Sequence, residues 1–226
     1  KKNNSFKDVH ELGVKNIAST CKNLQIKKFI HVSAIGAQKN SKSEYAKTKF
    51  YGEEAVKTFD NYCIIRPSIV YGDEDNFINF FAKIAKISPF LPLIGGGKNL
   101  FQPIWVQDLA NIIVNILENN INRKVLEVGG PEVFSFKKIL EIILEELHLR
   151  RQLITVPYGL SKRLASLLEF LPNPLLTIDQ VEMLKKDNII SKKYDYKKTL
   201  KYLPMPFKKM LRNQLSFMKK NGGHLN

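Results

Sequence analysis

"KKFIHVSAIGAQKNSKSEYAKTKFYGEEAV", residues 27–56, opens as a strand and closes as a helix, and that order decides the fold. The β-rich apolar run 27–36 predicts a buried strand. Residues 43–58 predict a helix with Ser41 or Ser43 as its cap, and Ser41 with Glu44 fits the S-x-x-E capping box. On this helix Tyr45 and Lys49, four apart, share a face about one turn apart. They are either a proton-transfer pair or two ordinary surface residues.

A lysine ammonium beside a phenol favours the phenolate, lowering a pKa that starts at about 10. Tyrosine can then serve as a general acid or base nearer neutral pH. The same chemistry wants a hydroxyl to hold the substrate oxygen, and Ser33 stands at the end of the preceding strand. The bare Y-x-x-x-K spacing is cheap, since Tyr158/Lys162 and Tyr194/Lys198 also match it. Context singles out Tyr45: a strand with Ser33 before it, Gly52, Glu53 and Glu54 after it, and a strand ending in "RPSIVYG" beyond. The other two pairs read as ordinary surface residues.

Working outward, helical spacing of Phe6, Val9, Leu12, Val14, Ile17, Cys21 and Leu24 predicts a helix over 5–24. Residues 62–72 predict a second buried strand broken by Pro67. A helix over 76–87, a loop over 88–97, a short extended piece at 102–106, an amphipathic helix over 107–118 and a strand over 124–130 follow. Ser135 can cap a helix over 136–148. Such alternation predicts an α/β fold with a parallel sheet covered on both faces. From 150 the texture changes, with helices near 158–170 and 177–186 around a Pro-rich corner at 172–174. The expected organisation is a partial Rossmann-like domain over 1–149 and a small, mostly helical substrate-side or docking subdomain over 150–226.

The totals exclude several classes. With 226 residues, 44% hydrophobic and 25% charged, the chain has the composition of a globular protein with a packed core. It lacks an apolar run of about 18 residues, so no spanning helix is expected, and its amino end lacks the layout of a secretory signal. Cys21 and Cys63 stand alone, without CxxC spacing or histidine pairs, and read as buried thiols in a reducing compartment; no metal site is expected. The sequence does not begin with methionine, which fits a fragment or a processed product. Of the net charge of +15, residues 183–226 supply +10. A basic end favours an anionic partner, or is simply a solvated lysine-rich tail. Within it, helix 206–220 sets Phe207, Met210, Leu211, Leu215 and Met218 along one side, with Lys208, Lys209, Arg212, Lys219 and Lys220 around them. Such a helix either lies on an anionic membrane or a partner, or packs on its own domain. No motif for nucleic acid accompanies the charge. The expected location is cytoplasmic, or peripheral on the inner face of a membrane.

"HVSAIGA" (31–37), "YAKTKFYGEEAV" (45–56), "IIRPSIVYG" (64–72) and "QPIWVQDLA" (102–110), in this order, resemble the short-chain dehydrogenase/reductase superfamily, in its atypical or extended branch with the NAD-dependent epimerases and dehydratases. "YGDEDNFINFFA" (71–82), "LPLIGGGKNLFQPIWVQDLA" (91–110) and "LLEFLPNPLLTIDQVEMLKKDNI" (167–189) resemble relatives of the nicotinamide-nucleotide-binding accessory subunit of respiratory complex I. The resemblance implies roles by position. Tyr45 would be the acid/base residue, Lys49 would bind nicotinamide-ribose hydroxyls and tune Tyr45, and Ser33 would be the hydroxyl partner. Pro67, Ser68 and Ile69 would line the nicotinamide end. It also implies NAD or NADP as cofactor and a respiratory complex, or another protein, as partner.

A dinucleotide fold also needs a Gly-rich turn between its first strand and a helix. Neither G-x-G-x-x-G nor G-x-x-G-x-x-G occurs, and Gly95–Gly97, at the end of a segment that reads as a loop, is not expected to follow a strand and open a helix. Asp108 reads first as a helix-start residue. Roughly half of the nucleotide-binding sheet is therefore expected upstream of residue 1, and tight cofactor binding by these residues alone is not expected. Two functions follow: a binding and assembly protein of the complex I accessory type, with weak or absent catalysis, or an NAD(P)-dependent oxidoreductase or epimerase acting on a hydroxyl or carbonyl once the missing half is supplied.

Overall fold

The computed structural model describes residues 5–170, 174 and 176–220, with side chains described as far as residue 216. Its strands are β1 (Phe29–Val32), β2 (Tyr62–Pro67), β3 (Val70–Tyr71), β4 (Phe90–Ile94), β5 (Leu100–Phe101), β6 (Ile104–Trp105), β7 (Lys124–Val128), β8 (Phe134–Ser135) and β9 (Gln152–Val156). Its helices are α1 (Val14–Asn23), α2 (Glu44–Val56), α3 (Ile78–Ile87), α4 (Val106–Glu118), α5 (Phe136–Leu147), α6 (Tyr158–Leu168), α7 (Ile178–Met183) and α8 (Phe207–Lys220). Two compact units form, each from three segments. One takes Lys1–Ser68, Leu109–Val128 and Ile190–Tyr202; the other takes Ile69–Asp108, Gly129–Ile189 and Leu203–Asn226. The sequence reading expected one boundary at 149/150. Discontinuity arises because the chain leaves the first unit at the end of β2 and returns to it within α4, a path that composition does not mark.

The first unit is built on a parallel sheet in the order β1-β2-β7, with Ile30 opposite Cys63 and Ile65 opposite Leu126. Cys63, Ile64 and Ile65 of the central strand are fully buried, as expected for a parallel strand covered on both faces. Helix α2 packs on this sheet, and the helical segment before β1 packs on α2. That segment departs from the regular helix expected over 5–24: Asp8–Gly13 is a π-helical turn, the wider winding that occurs in single turns. The turn presses its backbone onto α2, where a Cβ on Gly52 would lie 2.2 Å from the His10 carbonyl oxygen. Close approach explains a glycine in a helix interior, which otherwise costs about 1 kcal/mol relative to alanine. Of α1, Ala18 is buried, while Ile17 keeps 55% of its surface exposed and Leu24 just beyond keeps 68%. The apolar periodicity of this helix is therefore not satisfied inside its own unit.

The second unit has an aromatic-rich core formed by α3, α5, α8 and the short strands, in which Tyr71, Phe81, Phe101, Phe136 and Phe207 are buried. Residues 88–97, expected as a loop, contain β4, which pairs in parallel with β9 (Leu91 opposite Leu153). The prolines of this segment, which argue for a loop, are compatible with the ladder. Gln152 N–H donates to the Pro89 carbonyl, which puts the odd positions of β4 in the ladder and Pro92 on the open side, where a missing N–H costs nothing. Because β9 leads into α6, strand–helix alternation continues past 150. The Pro-rich corner at 172–174 lies largely outside the described residues.

Helix α8 is amphipathic as expected, but its apolar side is spent on this unit: Phe207, Leu211 and Leu215 are buried in the core. On its basic side Lys208 pairs with Glu145 at 2.7 Å and Arg212 with Glu146 at 3.1 Å. Of the two alternatives for this helix, packing on its own unit is the one that the described residues show; the side chains of Met218, Lys219 and Lys220 lie outside them. Among the described residues no helix is long and apolar enough to cross a membrane.

Candidate functional site

Helix α2 starts where Ser43 caps it, the Ser43 hydroxyl accepting from Ala46 N–H at 3.1 Å. Of the two cap candidates Ser43 is the N-cap, and the Ser41 hydroxyl accepts from the backbone N–H of Ser43 at 3.2 Å. Tyr45 and Lys49 follow on one face. The Lys49 ammonium stands 5.8 Å from the Tyr45 ring centroid and donates to the Val32 carbonyl at 3.1 Å. Burial pulls Lys49 below its usual pKa, and the Glu53 charge opposes that pull.

Ser33 is the next residue along the strand. Its N–H donates to the Ile65 carbonyl at 2.7 Å, and Ile35 N–H donates to the Pro67 carbonyl at 3.0 Å, so the chain runs beside β2 to that strand's end. The Ser33 hydroxyl is buried without a hydrogen-bond partner. Ser68, also buried, donates its N–H to the Val128 carbonyl at 2.8 Å. Ser33, Tyr45, Lys49, Pro67 and Ser68 thus belong to one unit, and backbone or side-chain contacts tie Ser33, Lys49 and Pro67 to the carboxyl ends of β1 and β2. Ile69 is the first residue of the other unit, where its N–H donates to the Asn188 side chain at 3.0 Å and its carbonyl accepts from Ile104 N–H at 2.9 Å.

Three further residues were not singled out by sequence. The π-helical turn brings the His10 ring edge-on to Tyr45 at a centroid distance of 5.1 Å, and Phe6, just before the turn, meets Tyr45 edge-on at 5.7 Å. His10 Nδ1 lies 3.4 Å from the Thr48 hydroxyl. His31 is buried with Nε2 unpartnered, and burial, with Lys49 and His10 adding to it, brings its pKa down to about 4. Its place was readable, since residues two apart on a strand share a face and His31 precedes Ser33 by two. Nothing local announced the π turn.

One helical turn past Lys49, Glu53 is buried and takes Arg66 of β2 through two hydrogen bonds at 2.8 and 2.7 Å. Glu127 of β7 lies 3.7 Å from the same guanidinium, which also covers the Tyr194 ring at 5.2 Å. This network anchors the helix that carries Tyr45 and Lys49. The other Y-x-x-x-K pairs are structural: Tyr158 donates to the Leu184 carbonyl, Lys162 pairs with Glu182, and Lys198 donates to the Lys192 carbonyl. Asp108 stands in the first turn of α4 and accepts from Met205 N–H at 2.9 Å.

Two buried polar atoms without partners, on Ser33 and His31, beside the Lys49 cation fit a polar ligand such as the ribose end of a nicotinamide nucleotide. Among the described residues no Gly-rich turn of the pyrophosphate-binding kind accompanies them. In the Gly95–Gly97 turn a Cβ on Gly95 would meet the Tyr158 ring and one on Gly97 the Leu93 side chain.

The RmlD substrate binding domain family matches residues 1–161. A relative in Arabidopsis thaliana, NADH dehydrogenase [ubiquinone] 1 alpha subcomplex subunit 9, mitochondrial, is 32% identical over 203 residues, covering 84% of this chain and 50% of that protein. The chain thus spans about half the length of the curated relatives it matches there and in the rat. Among solved structures, a dTDP-glucose 4,6-dehydratase from Streptomyces venezuelae with NAD and TYD bound superposes with a TM-score of 0.71 at 16% identity, over 95% of this chain and 67% of that one. A dTDP-4-dehydrorhamnose reductase from Bacillus anthracis in complex with NADP gives 0.65 at 16% identity, over 95% and 74%. The chain therefore belongs to the RmlD substrate binding domain family, with the extended short-chain dehydrogenase/reductase, NAD-dependent epimerase/dehydratase fold, and is a distant relative of the mitochondrial complex I subunit.

Proposed function

We propose that this chain is a short-chain-dehydrogenase-type subunit that binds NAD or NADP weakly and serves a respiratory complex by binding and assembly rather than by turnover. The observation that carries the reading is a divided one: Lys49 links Tyr45 to the strand end bearing Ser33, while no Gly-rich phosphate turn occurs anywhere in the 226 residues. The sheet is taken as the carboxyl-terminal half of a doubly wound Rossmann-like domain, and the second unit as its substrate-side or docking part. Kinship with the complex I subunit supports the choice of assembly.

Lys49 would hold the ribose hydroxyls, with Pro67 and Ser68 beside the nicotinamide. Ser33 would hold a substrate oxygen, and Tyr45 would give or take its proton. The nicotinamide, when bound, would supply or accept a hydride. A second reading, an oxidoreductase or epimerase acting on a hydroxyl or carbonyl, is favoured by the buried, unpartnered Ser33 hydroxyl, since such a group costs about 1–3 kcal/mol unless something pairs with it. Single-turnover oxidation of NADH and NADPH with carbonyl substrates, on this chain and on Tyr45→Phe, separates the two. No Tyr45-dependent oxidation supports assembly; oxidation lost in Tyr45→Phe establishes the enzyme.

A further inference from the structure

Residues 190–202 of the first unit carry five lysines, Lys192, Lys193, Lys197, Lys198 and Lys201, and one carboxylate, Asp195. All five lysines are exposed. A run of like charge is ordinarily disordered, yet this one is fastened to the sheet. Glu127 of β7 donates its N–H to the Tyr194 carbonyl at 2.7 Å, and its carboxylate accepts from Ser191 N–H at 2.7 Å. Asp195 forms a parallel bridge to Glu127. The Tyr196 and Leu200 side chains are buried, and the Tyr202 hydroxyl accepts from the Asn111 side chain at 3.0 Å. Elsewhere lysines find carboxylates, as Lys57 does in Glu54 and Lys162 in Glu182. Among the described residues none of these five does: Lys198 donates to the Lys192 carbonyl, and Lys193 and Lys197 lie 4.9 and 6.0 Å from the Tyr194 and Tyr196 rings. The Asp195 carboxylate accepts from Lys197 N–H at 2.9 Å, so it caps a backbone turn. Holding like charges in one ordered segment is unfavourable unless an opposite charge lies near.

We propose that residues 190–202 form a surface that lies against an anionic phospholipid membrane and is held there by charge alone. Residue type selects this partner over the other polyanions. Lysine has a strongly hydrated head and is depleted in protein–protein interfaces, which argues against an acidic protein. Single-stranded nucleic acid needs open aromatic faces for its bases. Here the Tyr194 ring carries the Arg66 guanidinium at 5.2 Å as well as Lys193, and Tyr196 is buried. The segment also contains no arginine, the residue whose planar fork grips a phosphate through two hydrogen bonds. A lipid surface asks for less: each lysine close to it strengthens binding about fivefold without giving up its water. Apart from the lysines, only Ser191 and Thr199 of this segment are exposed, so no apolar side chain is presented for insertion among acyl chains. The proposal goes beyond the functional reading and needs neither nucleotide nor turnover, so failure of cofactor binding leaves it standing.

Flotation of the full chain with lipid vesicles tests it. The chain should bind vesicles of equimolar phosphatidylcholine and phosphatidylglycerol, stay off phosphatidylcholine alone, and leave the anionic vesicles in about 0.5 M salt. Neutralising two lysines, Lys192→Gln with Lys193→Gln or Lys197→Gln with Lys198→Gln, should weaken binding about 25-fold at low salt. Lys15→Gln with Lys22→Gln makes the same change of charge on two exposed lysines of α1 and should leave binding within about twofold of the parent. Acetylation of the parent gives a second readout that needs no variant: vesicles should shield the lysines of the segment and leave Lys15 and Lys22 reactive. Equal binding to neutral vesicles, an equal loss in the α1 variant, or no binding to anionic vesicles would each overturn the proposal. In the last case, retention on a single-stranded RNA homopolymer would reassign the surface to nucleic acid.

Discussion

Glu53 and Arg66 form a two-pronged ion pair between α2 and β2, with Nε–Oε1 at 2.8 Å and Nη2–Oε2 at 2.7 Å. The Glu53 side chain is fully buried and that of Arg66 is 11% exposed. Removing one partner strands the other charge, so Arg66→Ala should lower stability by about 3–5 kcal/mol. Urea unfolding measures it. The double change Glu53→Leu with Arg66→Met should recover part of the loss, because it removes the stranded Glu53 while buried Glu127 still loses its cation. Equal losses in the single and double variants would mean that Glu127, not Glu53, is the partner that Arg66 stabilises.

Gly52→Ala places a methyl group against backbone, not against a side chain that can swing aside. The π-helical turn must shift, at a cost of about 1–3 kcal/mol for overpacking. The His10 and Tyr45 rings should separate, which the ring-current shifts of the His10 protons in an NMR spectrum would register. Unchanged shifts would contradict the packing described.

His31 makes stability depend on pH. Its pKa falls from 6.5 to about 4 on folding because burial disfavours the imidazolium. Above pH 6.5 both states are neutral at this residue and it carries no penalty. As pH falls, the unfolded chain takes up the proton first, so stability is lost progressively towards pH 4 and amounts to roughly 3 kcal/mol at the limit. Urea midpoints at pH 7.5 and 4.5 should differ less in His31→Leu than in the parent, since carboxylate titration is common to both. Equal differences would place His31 in contact with water.

The two cysteines should react unequally. Burial pushes the Cys63 thiol up to about 11, and its side chain is fully buried in β2, whereas Cys21 is half-buried on α1. The thiolate is the nucleophile, so iodoacetamide at pH 8 should modify Cys21 and spare Cys63 in the folded chain. Peptide mapping reads this directly. Modification of Cys63 at a comparable rate would mean that the central strand opens readily.

Much of this was legible because it is local. Ser135 caps α5, the apolar runs at 29–32, 62–67 and 124–128 form one parallel sheet, and Lys49 reaches Tyr45, all from spacing and residue type. What escaped depends on distant partners. Strand β4 is a strand only because β9 lies beside it, and its prolines and glycines argued for a loop. Arg66 gains its meaning from Glu53 and Glu127, which lie in other elements. Helix α8 showed its amphipathic pattern, but periodicity cannot say whether core or membrane receives the apolar side.

Calorimetric titration of NADH and NADPH into this chain and into Lys49→Ala tests the central claim most directly. The account predicts weak binding, with Kd at or above the high micromolar range, and a further loss in Lys49→Ala because that ammonium would hold the ribose. Tight binding that Lys49→Ala leaves unchanged would contradict it, placing any nucleotide site away from Tyr45, Lys49 and Ser33.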